Sequence, residues 1–213
     1  VLWHIISGME PGQLAGAFQN ASLRQLGLAV AFTALSYLLL TGYDALALRR
    51  LGLSIPYRTT ALASFTSYSV SFTLGFPIVT GGTVRYWVYA ARGVRGSEVA
   101  SLTVIAGLTF WLGLGMIFCA SLFYATESVA QLARASPLVI QAIGAATGLG
   151  ILGYLFWVAT GERTLRVRGW NLPLPGLGVT LGQMLLGACE VSAAAAVLFV
   201  LLPGGHNLPY ESF

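Results

Sequence analysis

Five stretches of this chain carry almost no charge: residues 25–43, 59–84, 99–126, 135–161, and 169–210, the last broken only by Glu190. A helix needs about 20 mainly apolar residues to cross the hydrocarbon core of a bilayer, and each stretch is long enough to do so. Composition agrees, with 56% hydrophobic and 8% charged residues, where a soluble domain averages roughly 25% charged. A water-soluble fold is excluded, and the chain reads as an all-α polytopic membrane protein, a helical bundle. No basic start followed by a short apolar core and a small-residue cleavage site marks a signal peptide. "VLWHIIS" at the start reads as the tail of a helix and "NLPYESF" ends without a terminating signal, so residues 1–213 are expected to be part of one transmembrane domain of a longer protein.

The eleven basic residues are all Arg, and beyond Arg24 they fall in clusters: Arg49, Arg50 and Arg58; Arg85, Arg92 and Arg95; Arg134 alone; Arg163, Arg166 and Arg168. If every apolar stretch crossed the membrane, the first two clusters would face opposite sides, against the positive-inside bias. If residues 59–84 instead enter and leave on one side, six Arg gather on the cytoplasmic face, and the Glu127–Arg134 loop lies outside. A re-entrant or broken helix at about 59–84 is therefore expected. The segment is rich in Ser and Thr, and Gly75, Pro77, Gly81 and Gly82 resist a continuous helix. Non-helical backbone at membrane depth needs surrounding protein or a wet cavity. A Pro-kinked ordinary span, its hydroxyls bonded to its own carbonyls, is the simpler alternative.

Within "TGGTVRYWVYAARG" a Gly-Gly pair precedes Arg85, which sits among Tyr86, Trp87 and Tyr89. Broken helices aim their positive ends at anionic groups, and Gly81 and Gly82 would let backbone N–H groups approach one. Arg85 would add a full charge suited to bidentate contact with phosphate, and the aromatics are types that settle at the headgroup level. An Arg that snorkels to the interface beside an aromatic belt explains the same residues.

Two acids lie in apolar surroundings. Glu190 sits near the middle of the last stretch, where an ionised side chain costs about 3 kcal/mol on insertion scales, so it needs a partner, a wet cavity or a proton. Asp44 lies toward the cytoplasmic end of the first span, near Arg49 and Arg50, with which it could simply pair. The histidines, His4 and His206, lie near the chain ends, so no Ser-His pair or two-His metal motif falls in a span, and neither catalytic residue, metal nor cofactor is expected. Cys119 and Cys189 read as buried, inert thiols. The spacings Gly144 to Gly148 and Gly178 to Gly182 fit close helix packing. "RTLRVRGWNLPLPG", with Arg163, Arg166, Arg168, Trp170 and Pro173, fits a cytoplasmic loop on anionic headgroups, and nucleic acid is not an expected partner for so short a basic run.

The stretches "GYDALALRRLGLSIPYRTTALASFTSYSVSFTLGF" and "TGGTVRYWVYAARGVRGSEVASLTVIAGLTFWLG" resemble the membrane region of the bacterial lysylphosphatidylglycerol synthetase and flippase family (MprF, multiple peptide resistance factor). The likeness covers about Asp44 to Gly113 and reaches weakly to "LLPGG" near the end. It implies a multi-pass protein of the bacterial inner membrane that carries aminoacylated phosphatidylglycerol to the outer leaflet, giving resistance to cationic antimicrobial peptides. It also implies a second repeat and a cytoplasmic synthetase domain beyond these residues, the latter holding the lysyltransferase activity, and with them a homo-oligomer or that domain as a partner. By the same likeness the headgroup site comprises Tyr43, Asp44, Thr80, Gly81, Gly82, Arg85 and Tyr86, with Glu190 as the intramembrane acid. Arg85 and the Gly81–Gly82 backbone would hold the phosphate while Asp44 or Glu190 receives the amine. The rival readings are a carrier for another anionic or isoprenoid lipid, and a structural scaffold for a cytoplasmic enzyme.

Overall fold

A computed structural model describes residues 22–161, 163–167 and 170–202. His4, His206, Arg168, "VLWHIIS", "NLPYESF" and most of "LLPGG" lie outside the described residues. Among the described residues, seven helices and a two-stranded ribbon follow in order. They are α1 (Leu23–Arg50), α2 (Tyr57–Leu74), α3 (Pro77–Ala90), α4 (Gly96–Tyr124), α5 (Thr126–Ala133), α6 (Pro137–Ala159), β1 (Thr164–Val167), β2 (Trp170–Pro173) and α7 (Leu177–Leu201). The chain is an all-α polytopic membrane protein: α1, α4, α6 and α7 are long and apolar enough to cross the bilayer.

Local chemistry sets the helix limits. Ser22 caps α1, accepting from the Gln25 N–H while Gln25 reaches back to the Ser22 N–H, a reciprocal box that satisfies two orphan donors. Glu98 closes the start of α4, accepting from the backbone N–H of Arg95 and from its guanidinium. The decisive break falls at Gly75 and Phe76, both at positive φ (78° and 53°), and Pro77 then opens α3 at a position where its missing N–H costs nothing. Positive φ is easy for Gly75 but strained for Phe76, so this turn is a committed reversal.

The reversal makes α2 and α3 an antiparallel helical hairpin. Gly81 faces Ser71 across it, and the Thr80 hydroxyl donates to the Gly75 carbonyl at the tip. At about 1.5 Å per residue, the 14 residues of α3 reach about 21 Å, short of the roughly 30 Å hydrocarbon core. The hairpin therefore enters and leaves on one side, as a re-entrant element should. Its tip, Leu74, Phe76, Ile78 and Val79, is exposed and apolar, which suits a tip that ends among lipid chains.

The same pairings orient the spans. α1 and α7 run antiparallel, with Gln25 bonded to the Val200 carbonyl at one end and Gly182 against Leu46 toward the other. Arg49, Arg50, Arg58, Arg92, Arg95 and Arg163 all lie at one end of the bundle, while Arg24 and Arg134 lie at the other. The arginine-rich end is the cytoplasmic one by the positive-inside rule. There Ala47, Leu48, Tyr89, Val94, Val99, Leu102, Leu172 and Leu174 form the largest buried apolar cluster.

Four expectations need correction. Gly81 and Gly82 do not interrupt the backbone; they lie inside α3, where the helix ladder takes up their N–H groups. The tract 163–173 is not a plain loop but an antiparallel ribbon pairing Thr164 with Pro173 through Val167 with Trp170, anchored by buried Leu172 and Leu174. The Glu127–Arg134 segment is largely the short helix α5, ended by Arg134 at positive φ. Cys189 is exposed rather than buried, and only Cys119 engages the interior, through the Gly144 carbonyl. Both thiols are free.

Candidate functional site: an ion pair inside the re-entrant hairpin

α1 packs against α2, so the residues one turn inside its cytoplasmic end face the interior of the hairpin. Asp44 is wholly buried there and Arg85 is 4% exposed. The Arg85 Nε donates to both Asp44 carboxylate oxygens at 3.2 and 3.0 Å, and Nη2 donates to Oδ1 at 3.0 Å. The Tyr89 hydroxyl donates to Asp44 Oδ2 at 3.0 Å. On its other side the guanidinium lies 4.8 Å from the centroid of the Tyr68 ring, close enough for a cation–π contact. One carboxylate and one guanidinium thus neutralise each other, each held by an aromatic neighbour, within a membrane protein.

Asp44 was expected to pair with Arg49 or Arg50, or to await an amine. Its partner is Arg85, because Arg49 and Arg50 lie further along α1 at the cytoplasmic end while α3 delivers Arg85 to the same depth as Asp44. Gly81 makes that approach possible. A Cβ there would lie 2.7 Å from Ser71 Oγ and 3.2 Å from Arg85 Nη1, so its role is close helix contact rather than an open N–H cradle. Gly82 faces Thr103 of α4 at ordinary contact distance. Thr80 is tied to the hairpin tip through the Gly75 and Phe76 carbonyls and Ser71.

The other named residues divide. Tyr86 is 46% exposed and faces Gly96, apart from the ion pair, whereas Tyr89, taken from sequence as a headgroup-level aromatic, is the buried one. Tyr43, beside Asp44 on α1, points toward α7, where its hydroxyl packs against Gly187. Glu190 is 5% exposed and accepts a hydrogen bond from the Ser36 hydroxyl at 2.9 Å. The structure therefore brings Asp44 and Arg85 together and places Glu190 elsewhere, on α7 against Ser36, two turns before Asp44 on α1 and away from the arginine-rich end.

Sequence reasoning missed Tyr68, Ser36 and Gln183. Gln183 donates to the Tyr43 carbonyl at 3.0 Å while its Oε1, the Tyr43 hydroxyl and Ser67 Oγ are buried without a protein partner. A Gln in a largely apolar helix was the available signal for Gln183. Ser36 and Tyr68 carry none, since small hydroxyls and tyrosines recur throughout the spans. Gln183 and Tyr43 thus place polar atoms between α1 and α7.

Comparison with known proteins places the chain in a membrane context. It is 30% identical over 199 residues to the uncharacterized protein slr0712 of Synechocystis, covering 92% of this chain and 61% of that protein. It is 28% identical over 193 residues to the inner membrane protein YbhN of Escherichia coli, covering 85% of this chain and 57% of that protein. The chain spans about three-fifths of the length of these curated relatives. No protein-family profile matches it. With four apolar spans among the described residues, the likeness to YbhN makes this a multi-pass protein of the inner membrane.

Proposed function

We propose that this chain is the membrane part of a phospholipid translocator, and that its cargo is aminoacylated phosphatidylglycerol moved from the inner to the outer leaflet. The observation that carries the reading is the Asp44–Arg85 pair on a re-entrant hairpin. A buried ion pair contributes little net stability and is costly to break from one side, so its presence at membrane depth asks for a role. An aminoacylated headgroup contains an internal ion pair of its own, a phosphate and an ammonium. It can exchange with the protein's pair one charge at a time, the phosphate taking the Arg85 guanidinium as the ammonium takes Asp44. Neither protein charge is then left bare. Acyl chains would stay in the bilayer, and the exposed apolar tip of the hairpin offers them a lipid-like surface.

Resistance to cationic antimicrobial peptides would follow from a less anionic outer leaflet. A synthetase domain elsewhere in the protein would supply the lipid.

The test separates export from synthesis. In cells that make the lipid, Arg85→Gln should lower the outer-leaflet share of aminoacyl-phosphatidylglycerol, read by reaction with a membrane-impermeant amine reagent, at constant total. A matched fall in total and exposed lipid, with the protein folded, would count against translocation.

A further inference from the structure

We propose that Glu190 is a proton-binding site, and that a proton on its carboxyl is exchanged for the lipid ammonium, which makes translocation a lipid–proton antiport. The inference rests on the translocation reading above and adds its energy source.

The geometry sets Glu190 apart from Asp44. Among the described residues the ion pairs are Arg85 with Asp44 and Arg95 with Glu98, so Glu190 belongs to neither. Its hydrogen-bond partner is the neutral Ser36 hydroxyl. Arg85, the one basic side chain at hairpin depth, is already held by both oxygens of Asp44. An acid in that position is at ease only with a proton or a cation. The groups that face it are few. α1 contributes Ser36 and Tyr43, and α2 contributes Tyr68, which lies within electrostatic range of both Glu190 and the Arg85–Asp44 pair. On α4 the titratable groups of the outer half are Cys119, engaged with α6, and Tyr124, exposed at the helix end, and α4 meets α7 through Gly113 and Gly187. α6 contributes Tyr154, near Thr180 at the cytoplasmic end of α7.

Position supplies the direction. Ser36 precedes Asp44 by eight residues of α1, about 12 Å along the helix and away from the arginine-rich end. An ammonium that leaves Asp44 for the outer leaflet meets Glu190 next. The unpartnered Tyr43 hydroxyl lies against Gly187 of α7, three residues from Glu190 on the side toward Asp44.

The cycle balances. A proton from the outer water forms the O–H bond of Glu190 and releases the ammonium outward. The next ammonium arriving from Asp44 displaces that proton, which leaves toward the cytoplasm. A lysyl headgroup has two ammoniums and one phosphate, hence one net positive charge, so exchange for one proton moves no net charge.

The test uses the full-length protein in nanodiscs and reads the carboxylic-acid C=O band by infrared difference spectroscopy. At neutral pH the wild type should show a band that Glu190→Gln removes, and lysyl-phosphatidylglycerol, but not phosphatidylglycerol, should diminish it. Should Glu190→Gln not fold, Ser36→Ala serves instead, by shifting the band frequency. No assignable band, or one indifferent to the lysyl lipid, overturns the proposal. In proteoliposomes with acyl-labelled lysyl-phosphatidylglycerol, one-for-one exchange should change the leaflet ratio about tenfold per unit of pH gradient. Translocation indifferent to the gradient, or driven by sodium instead, overturns the proton site alone. A lipid-sensitive band without translocation of any lipid leaves the site standing and sinks the translocator.

Discussion

The hairpin α2–α3 and the span α6 occupy the same bilayer and solve opposite problems. α6 has no charged residue, buries little of itself within the bundle, and turns Leu138, Val139, Leu149, Leu152 and Phe156 outward. Lipid is an adequate neighbour for it, and beside buried Ile140 and Val158 its interior contacts are made by small residues: Gly144 against Leu122 and Phe123, Gly148 against Cys119. The hairpin hides the polar residues Thr60, Ser64, Ser67, Ser71 and Arg85 from lipid and presents Phe65, Phe72, Phe76 and Trp87 outward. With lipid on the outside no hydrophobic gain holds helices together, so association relies on close packing and polar contacts. α6 uses the first, the hairpin both, and only the hairpin carries chemistry that outlasts packing.

The largest effect that tests this contrast is at the ion pair. Arg85→Met should destabilise the protein by about 3–5 kcal/mol, because Asp44 is left buried and unpaired. The double change Asp44→Asn with Arg85→Met should recover most of that loss while abolishing lipid export. Thermal unfolding in mild detergent checks the stabilities. If the double variant is no better than the single, the pair is not the coupled unit described here.

Next in size is the glycine that seats the hairpin. Gly81→Ala would drive a methyl to 2.7 Å from Ser71 Oγ and 3.2 Å from the Arg85 guanidinium, an overpacking cost of about 1–3 kcal/mol. Adding Ser71→Ala should return part of it. If Gly81→Ala is silent in both unfolding temperature and export, α2 and α3 are not held as closely as their shared ion pair requires.

How much of this could be read from the chain depends on which physical signal is local. The four spans are legible because long charge-free runs have few other uses. The re-entrant element is legible too, since opposite placement of the first two Arg clusters would violate the charge bias, and Gly75 with Pro77 marks a break. The Asp44–Arg85 pair is not legible, because 41 residues and two chain reversals separate them and Arg49 and Arg50 offer a nearer partner. Gly81 and Gly82 mislead for a related reason. A helix in water is weakened by Gly, but in a bilayer Gly lets helices approach, and sequence alone cannot say which use applies. The ribbon at 164–173 is obscured by its Arg content, which resembles a surface loop while Leu172 and Leu174 anchor it.

Smaller effects are expected in α6, and they discriminate between its two faces. Gly144→Ala would bring a Cβ to 3.1 Å from Phe123 and 3.2 Å from Leu122, distances the neighbours can relieve by slight movement, so a loss of about 1 kcal/mol is expected. The interface with α4 would be looser than described if the variant unfolds at the wild-type temperature.

The smallest change belongs to Gly153, on the same helix, where a Cβ would meet nothing within 4 Å. In water an exposed mid-helix Gly→Ala stabilises by about 1 kcal/mol. In a bilayer that gain should largely vanish, because the helix stays formed when the bundle comes apart, leaving a change within about 0.5 kcal/mol. Export should be unaltered as well. A clear loss of stability at this position would mean that the outer face of α6 packs on protein rather than lipid. A concentration-dependent loss would identify that protein as a second copy of the chain, and a concentration-independent loss would point to another segment of the same chain.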